Sequence, residues 1–297
     1  MSLPRPIVAG RTYLITRGIA QREFLLRPDG KINDALLFLL MCAAKRYHVD
    51  VVAVLAMSDH WHLVVHDPRG RLPRFMQYLH SMTARVINSM YGRWENVWSV
   101  EQVNVNYLVE VEDVIRKTVY VLANPVKAQL VERSIHWPGL NSYAWLDGRT
   151  ITVERPSAFF GARSKLPKVV TGRLVAPPGF EGTFEEWAER VRIGVEVEEW
   201  RAAELRARTG SRILGRKAVR RASPHQRATS KRTHRGMKPF IAAKNPDARR
   251  RALAELALFR ATYAQRRLEF IGGDRTVLFP VGTWALVHVA GVLVAPS

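Results

Sequence analysis

Apolar and polar positions along the first half of the chain predict strands and helices in alternation. Residues 11–17, RTYLITR, alternate apolar and polar side chains as a strand does. From Ile32 to Tyr47, apolar residues recur at helical spacing, which predicts an amphipathic helix. Residues 49–57, VDVVAVLAM, are almost all apolar and predict a buried strand. A turn at Ser58 and Asp59 would join this strand to residues 60–66 in a hairpin.

A second helix and a last strand complete the first half of the chain. Pro73 falls where a helix that runs to about Tyr91 would begin. Residues 103–111 alternate as a strand, and Asp113 is a candidate cap for the helix that follows. This order of elements predicts an α+β fold, the ferredoxin-like (RRM-like) antiparallel sheet covered by helices.

The second half of the chain differs in character. Residues 155–183 are rich in proline and glycine and look like a connection with little core of its own. A helix is predicted from Phe184 to about Arg208, with Trp187, Val191, Val195 and Trp200 on its inner face. Another helix is predicted from about Pro246 to Arg267, and the apolar end of the chain should pack on the core or form a small accessory unit. We therefore expect a domain over residues 1–146, a connection over 147–183 and a basic accessory region over 184–297.

The charge of the chain predicts a polyanionic partner. The 297 residues include 46 Lys and Arg against 26 Asp and Glu, a net charge of +20. Such an excess fits nucleic acid or an anionic membrane surface. No apolar run is long enough to span a bilayer, and the N-terminus lacks the apolar segment of a secretory signal, so we expect a cytoplasmic protein. The single cysteine, Cys42, excludes an intramolecular disulfide and a thiolate metal cluster.

Basic residues are concentrated between positions 211 and 251, where 14 Arg and Lys stand against one acid, Asp247. A run of this kind is often only a solvated tail, but it can also be an arm that binds phosphates. The members that we expect to bind DNA are Arg212, Arg216, Lys217, Arg220, Arg221, Lys231, Arg232 and Arg235.

Two histidines of the predicted hairpin are candidate metal ligands. Side chains in a strand alternate between faces, so His60 and His62 point the same way, with Trp61 pointing towards the core. Two imidazoles in this arrangement can converge on one ion. The alternative is a pair of exposed or hydrogen-bonded histidines with no metal. Position 64 is Val, which disfavours a phosphohydrolase that needs three alternating histidines.

A second candidate pair lies in residues 118–132, TVYVLANPVKAQLVE. Tyr120 and Asn124 are four residues apart, so a phenol and a carboxamide would share a helix face. The alternative is that Tyr120 is a core aromatic and that Asn124 is a helix stop imposed by Pro125.

Together, MSDHWHLVV, YVLANPVKAQLVE and WPGLNSYAWL resemble, in order and spacing, the single-tyrosine HUH transposases of the insertion-sequence type. The branch that they resemble is the REP-associated tyrosine transposases, and the resemblance covers roughly residues 8–146. It implies a ferredoxin-like domain that nicks and joins single-stranded DNA beside a hairpin. By this resemblance His60 and His62 are metal ligands, Tyr120 is the nucleophile and Asn124 is a third ligand.

The resemblance also implies a chemistry and a setting. Tyr120 would form a 5'-phosphotyrosine and free a 3'-hydroxyl, with Mg2+ or Mn2+ as cofactor. Imidazole ligands suit Mn2+ somewhat better than Mg2+. The partner would be single-stranded DNA with REP-like hairpins, the protein would be a monomer or a homodimer, and it would be nucleoid-associated in a bacterial cytoplasm.

The sequence departs from the family pattern at one position and offers further candidate site residues. Asp59 stands where the family usually carries Asn; this carboxylate could tighten the binding of the ion or cap the turn, and we expect the turn role. His66 shares the face of the pair, and we expect it to support the ligands or face solvent. Tyr91, Trp94 and Trp98 are candidates for stacking on unpaired bases, with core packing as the alternative.

Two other functions are compatible with these residues. The protein could be a DNA-hairpin-binding repressor that no longer cleaves. It could also be a metal-dependent phosphodiesterase that uses water, with Tyr120 in a structural role.

Overall fold

The computed structural model describes residues 3–101, 103–229 and 239–296. In chain order its strands are β1 (Arg11–Gly18), β2 (Asp50–Ala56), β3 (His60–Asp67), β4 (Asn104–Leu108), β5 (Ile151–Glu154), β6 (Val169–Gly172), β7 (Ile241–Ala242), β8 (Leu278–Phe279) and β9 (Leu293–Val294). Its α-helices are α1 (Gly30–Tyr47), α2 (Leu72–Tyr91), α3 (Val111–Leu122), α4 (Asn124–Lys127), α5 (Phe184–Thr209), α6 (Arg216–Arg221), α7 (Pro246–Ile271) and α8 (Ala285–Ala290).

The central sheet has the strand order β2-β3-β1-β4-β7. Its first four strands are antiparallel to their neighbours, and β7 extends the sheet parallel to β4. With α1 between β1 and β2, and α2 between β3 and β4, this order is that of a ferredoxin-like fold. The predicted fold class and the predicted β2–β3 hairpin are therefore confirmed.

Helices cover both faces of this sheet. The ring of Trp61 packs on His80 of α2, with 5.6 Å between ring centroids. On the opposite face, His62 packs on Tyr120 of α3, with 5.8 Å between centroids. On the same face, His66 is buried and its Nδ1 lies 3.3 Å from the hydroxyl of Thr12 on the neighbouring strand. The prediction that His66 could face solvent was wrong.

A capping box fixes the start of α3. Glu110 is the N-cap residue, and Asp113, in the third helical position, accepts a hydrogen bond from the Glu110 backbone N–H at 3.2 Å. We predicted Asp113 as the N-cap residue, whereas the N-cap is Glu110, three residues earlier. Its buried carboxylate also accepts from the backbone N–H of Lys244 at 2.8 Å, which fastens the C-terminal region to this helix.

Helix α5 packs against α3 along a narrow contact. Trp187, Val191 and Val195 are buried as predicted. Trp200 is 65% exposed, which corrects the prediction that it lies on the inner face. Trp200 follows Val195 by five residues and therefore lies beside the buried face of the helix. Glu199, which follows Val195 by four residues, lies on that face and is buried.

The connection between the two halves of the chain contributes to the core. Strands β5 and β6 form an antiparallel hairpin, in which Val153 and Val170 are buried against the same apolar cluster as α1. Further along, the Val175 backbone N–H donates to the Val51 carbonyl at 3.0 Å. The domain boundaries at residues 146 and 183 stay predictions.

The C-terminal region ends in a small unit of its own. Val277, Phe279 and Val292 form a second apolar cluster, against which Tyr263 and Phe270 of α7 pack. The apolar end of the chain is therefore packed, as its composition predicts. Among the described residues, no helix has the length and the apolar character needed to cross a membrane.

Candidate active site

The two candidate metal ligands meet on one face of β3. His60 and His62 lie opposite Gly18 and Thr16 of the neighbouring strand β1. Their Nε2 atoms are 3.1 Å apart, and the rings are edge to face with 4.8 Å between centroids. The His60 side chain is 25% exposed, whereas His62 is buried. The alternation of the strand therefore brings both imidazoles to one point that solvent can reach.

Hydrogen bonds at the other nitrogen orient each ring. The Nδ1 of His60 lies 2.7 Å from a carboxylate oxygen of Asp59, and the Nδ1 of His62 lies 2.9 Å from the hydroxyl of Thr16. A neutral imidazole that donates from Nδ1 carries its lone pair on Nε2. Two lone pairs then face each other across 3.1 Å, an arrangement that a cation between them would stabilise.

Burial and neighbouring charges determine the protonation states at this site. Burial, and secondly the charge of His60, place the pKa of His62 well below its ordinary value. Burial would by itself raise the pKa of Asp59, but the hydrogen bond from His60 and the charges of His60 and Arg22 outweigh it and lower the pKa. At pH 7 His62 is thus neutral, the form in which imidazole binds metals, and Asp59 is an anion.

Asp59 orients the first histidine rather than capping the turn. Its second carboxylate oxygen accepts a hydrogen bond from Nε of Arg22 at 3.2 Å. A carboxylate behind a histidine fixes the orientation of the ring and makes it a better ligand. The turn role expected for Asp59 was therefore wrong, because the carboxylate is directed to His60 and Arg22.

Asn124 lies beside the pair despite the proline that follows it. Helix α3 ends at Leu122, and Asn124 opens the short helix α4, with Pro125 in its first turn. The side-chain amide nitrogen of Asn124 lies 3.3 Å from Nε2 of His62. A half-turn of the amide exchanges nitrogen and oxygen, which would present the oxygen donor that Mg2+ and Mn2+ accept.

The candidate nucleophile stands at the open side of this group. Tyr120 is 38% exposed, and its ring centroid is 5.8 Å from that of His62. The ammonium groups of Lys117 and Lys127 lie 5.5 and 5.7 Å from the centre of the Tyr120 ring. The Lys127 ammonium is also paired with a carboxylate oxygen of Glu198 at 2.6 Å, so of the two lysines Lys117 supplies the less neutralised positive charge beside the phenol ring.

Two imidazoles and one amide form the candidate ligand set. In the described part of the chain, no group of three or more His, Cys, Asp or Glu side chains is placed to hold a metal ion. The facing Nε2 atoms and the amide nevertheless fit a divalent cation, since imidazole nitrogen and amide oxygen are both ligands that Mn2+ accepts.

A segment of the basic region, which we call the strap (residues 211–229), is hydrogen-bonded to two segments that adjoin the site residues. Near its start the Leu214 backbone N–H donates to the Gln129 carbonyl at 2.9 Å, just beyond α4. Near its end the Ala228 backbone N–H donates to the Arg22 carbonyl at 3.2 Å. The strap therefore connects the end of the tyrosine segment with the loop whose arginine holds Asp59.

The strap carries the predicted DNA-binding residues that the structure describes. Arg212, Arg216, Lys217, Arg220 and Arg221 are exposed. None of them pairs with a carboxylate among residues 3–101, 103–229 and 239–296. Lys231, Arg232 and Arg235 lie outside the described residues. The five described side chains thus present unneutralised positive charge along the strap.

The candidate stacking residues differ from one another. The ring of Trp98 packs on Trp61 with 5.3 Å between centroids, and its indole N–H donates to the His80 carbonyl at 2.8 Å. Trp98 is therefore a packing residue. Trp94 is 88% exposed, and Tyr91 is partly buried against His225 of the strap.

Several polar residues at the site were not singled out from the sequence. Thr16 could have been found from its register opposite His62 in the predicted sheet, and Lys117 from its position one helical turn before Tyr120. Arg22 carries no sequence signal, because its contact with Asp59 depends on a loop with left-handed backbone at Arg22, where φ is 59°.

The first part of the chain is similar to a known protein family. Residues 14–118 match the family described as "Transposase IS200 like". The match runs from β1 through most of α3 and includes His60 and His62, and it ends two residues before Tyr120. It confirms the resemblance to transposases that the motifs indicated. No curated protein matches the chain.

Two solved structures were compared with the chain. One is described as a REP-associated tyrosine transposase bound to a REP hairpin; it is 16% identical, with a TM-score of 0.41, over 48% of this chain and 83% of that one. The other is a putative transposase from Deinococcus radiodurans R1; it is 23% identical, with a TM-score of 0.28, over 35% of this chain and 84% of that one.

Proposed function

We propose that this protein is a metal-dependent endonuclease and strand transferase that acts on single-stranded DNA at hairpins. The observation that carries the proposal is the meeting of His60 and His62 of β3 with Tyr120 of α3 and Asn124 of α4, at a point where His60 and Tyr120 are partly exposed. The facing Nε2 atoms, 3.1 Å apart, supply the cation site, and Tyr120 lies beside it.

In the proposed reaction, the Tyr120 oxygen attacks a DNA phosphorus atom. A bond forms between that oxygen and phosphorus, the bond from phosphorus to the 3'-oxygen breaks, and the phenolic proton is released as the leaving oxygen becomes a 3'-hydroxyl. The products are a 5'-phosphotyrosine and a free DNA end. Because the phosphoester is conserved, another 3'-hydroxyl can attack it and rejoin the strand without ATP.

Each side chain has a part in this scheme. Mg2+ or Mn2+, held by His60, His62 and Asn124, would withdraw charge from the scissile phosphate. Asp59 and Thr16 hold the two imidazoles with Nε2 turned to the site. Lys117 attracts the phosphate to the phenol, and the strap provides further positive charge along the approaching strand.

The contact between Tyr120 and His62 within one chain supports use of the tyrosine in cis. A dimer that exchanged its tyrosine helices would not need this arrangement inside each protomer. One chain can therefore complete the proposed site, whether the protein is a monomer or a homodimer.

A denaturing-gel assay tests the proposal. Wild type, Tyr120→Phe, His60→Ala and a matched control, Tyr143→Phe, are incubated with Mn2+ or EDTA and with labelled single strands carrying hairpins from DNA that flanks the gene. We expect a protein–DNA adduct only with wild type and the control, and only with Mn2+. Cleavage that survives Tyr120→Phe would indicate hydrolysis by water, and strands left uncut by the wild type would favour a repressor.

A further inference from the structure

A basic cleft lies at the start of α2, outside the candidate active site. It has a volume of about 850 Å³, and we call it the α2 cleft. Its lining includes four arginines and three aromatic residues, namely Arg46, Arg69, Arg71, Arg74, Tyr47, Tyr78 and Trp284. Trp284 belongs to the C-terminal unit, so both halves of the chain build the cleft.

The arginines of the α2 cleft lack acidic partners. Arg69, Arg71 and Arg74 are exposed and form no salt bridge with any described carboxylate. No acidic side chain lines the cleft. The nearest carboxylate in sequence, that of Asp67, is fully buried and accepts from the backbone N–H groups of Arg71 and Leu72. Three guanidinium groups within six positions thus leave strong positive charge at this surface.

Aromatic rings lie between these charges. The rings of Tyr47 and Tyr78 are 5.8 Å apart, and the guanidinium of Arg46 lies 5.7 and 5.3 Å from their centres. Trp284 stacks on His288, with centroids 4.2 Å apart and planes at 24°, which holds the indole at the cleft. Phosphate-binding arginines interleaved with fixed aromatic rings are typical of surfaces that bind unpaired strands, because every base offers a face for stacking.

The α2 cleft and the active site lie on opposite sides of the sheet. Helix α2 covers the face that carries Trp61, whereas Tyr120 and α3 cover the face that carries His62. A strand held in the cleft therefore cannot at the same point contact Tyr120.

We propose that the α2 cleft is a second binding surface for single-stranded DNA, which holds sequence outside the segment that is cut. Arg69, Arg71 and Arg74 bind phosphates, and Tyr47, Tyr78 and Trp284 support unpaired bases. The proposal extends the function proposed above by assigning a separate contact for the same class of substrate, and its binding test does not depend on cleavage.

Fluorescence anisotropy of a labelled 20-nucleotide oligo-dT, in EDTA and over a range of salt, tests the cleft in the full chain. We expect the triple variant Arg69→Glu, Arg71→Glu and Arg74→Glu to bind at least tenfold more weakly. The slope of log Kd against log salt should fall by about 2, at about 0.7 for each phosphate that the variant no longer neutralises. Glu near the start of α2 also suits the helix dipole, so these changes should preserve the fold.

A control variant carries the same change of charge elsewhere. Arg163→Glu, Lys165→Glu and Lys168→Glu alter exposed residues between β5 and β6 and should weaken binding less than threefold. Equal losses in the two triple variants, or no loss in either, would overturn the proposal. A greater loss for a duplex of equal length than for oligo-dT would also overturn it, since the cleft would then bind double-stranded DNA.

A second variant keeps the test independent of charge and of folding defects. Trp284→Ala should weaken oligo-dT binding at least fivefold without changing the salt slope. Ultraviolet cross-linking should attach bound oligo-dT to peptides that contain Tyr47, Tyr78 or Trp284. If Trp284→Ala binds oligo-dT with full affinity and the cross-links fall only on other peptides, the α2 cleft is not a DNA-binding surface. If the wild type binds oligo-dT through the cleft but forms no covalent adduct with DNA, the proposed nuclease activity would be wrong and the cleft would still stand.

Discussion

At the scale of single residues, the site depends on a series of contacts behind His60. Arg22 holds Asp59, Asp59 holds the Nδ1 of His60, and the opposite nitrogen of that ring faces His62. We predict that Asp59→Asn lowers the affinity for Mn2+ by about 10- to 100-fold, as removal of a ligand's hydrogen-bond partner typically does. Calorimetric titration of the apo protein measures this, with the exposed Asp34→Asn as control. Equal affinity in both variants would show that Asp59 does not position the ligand.

A second residue-scale prediction concerns acid stability. The Nε2 of His80 is buried without a hydrogen-bond partner among the described residues. Burial, and secondly the charge of Arg17, lower the pKa of His80 to about 3. The unfolded chain, with a histidine pKa of about 6.5, therefore binds a proton first as the pH falls, and the folded state loses stability below pH 6.5.

The variant His80→Phe should be less sensitive to acid than the wild type. Between pH 6.5 and pH 5 the titration of His80 costs the folded state about 2 kcal/mol, which the variant avoids while it keeps a ring against Trp61 and Trp98. Denaturant unfolding at pH 7.5 and at pH 5 measures the difference. Equal acid losses in the two proteins would contradict the assignment of His80 as a buried neutral histidine.

Residue identity and strand alternation were enough to find the ligand candidates, but not their surroundings. The two-residue spacing of His60 and His62 determines that they share a face, whatever the rest of the fold is. The burial of His66 could not be predicted, because strand alternation gives the face of a side chain and not what covers that face. The contact of Asp59 with Arg22 depends on a loop conformation that neither residue signals.

At the scale of elements, the position of the tyrosine helix depends on α5. Gly194 of α5 lies against Val119, the neighbour of Tyr120, and a Cβ at position 194 would come within 2.6 Å of a Val119 methyl group. Val119 is β-branched and has little freedom to move aside.

We predict that Gly194→Ala separates α5 from α3. Overpacking typically costs about 1–3 kcal/mol, which should exceed the gain of about 1 kcal/mol from replacing a helical glycine. Thermal unfolding should show a lower Tm, and the yield of the DNA adduct should fall. Gly30→Ala in α1, where a Cβ meets nothing within 4 Å, is the control and should be neutral or stabilising. A stabilised Gly194→Ala with full adduct yield would contradict the close contact.

Helices and strands with a clear hydrophobic periodicity were predictable from the sequence. Features that depend on packing against another element were not. Helices α1 and α2 and the β2–β3 hairpin follow the sequence pattern within a few residues. By contrast, β7 is two residues long and exists only because β4 offers a free edge. The exposure of Trp200 follows from the exact rotation of α5 on α3, which its apolar character alone does not determine.

At the scale of the whole molecule, one apolar cluster runs through both halves of the chain. It joins Trp61 of the sheet with Val170 of β6, Trp187 of α5 and Phe240 beside β7. We predict that a fragment of residues 1–146 has a Tm well below that of the full chain, because it exposes apolar surface that the later elements cover. Circular dichroism during heating measures this. A fragment as stable as the full chain would show instead that residues 1–146 fold as an independent domain.

In the proposed reaction, Tyr120 becomes covalently linked to DNA. The most direct test is mass spectrometry of the wild-type protein after incubation with Mn2+ and a hairpin-flanked single strand, followed by protease and nuclease digestion. We predict that the peptide containing Tyr120 carries a nucleotide joined through its 5'-phosphate. An adduct on any other residue, or cleaved DNA with no modified peptide, would contradict that claim.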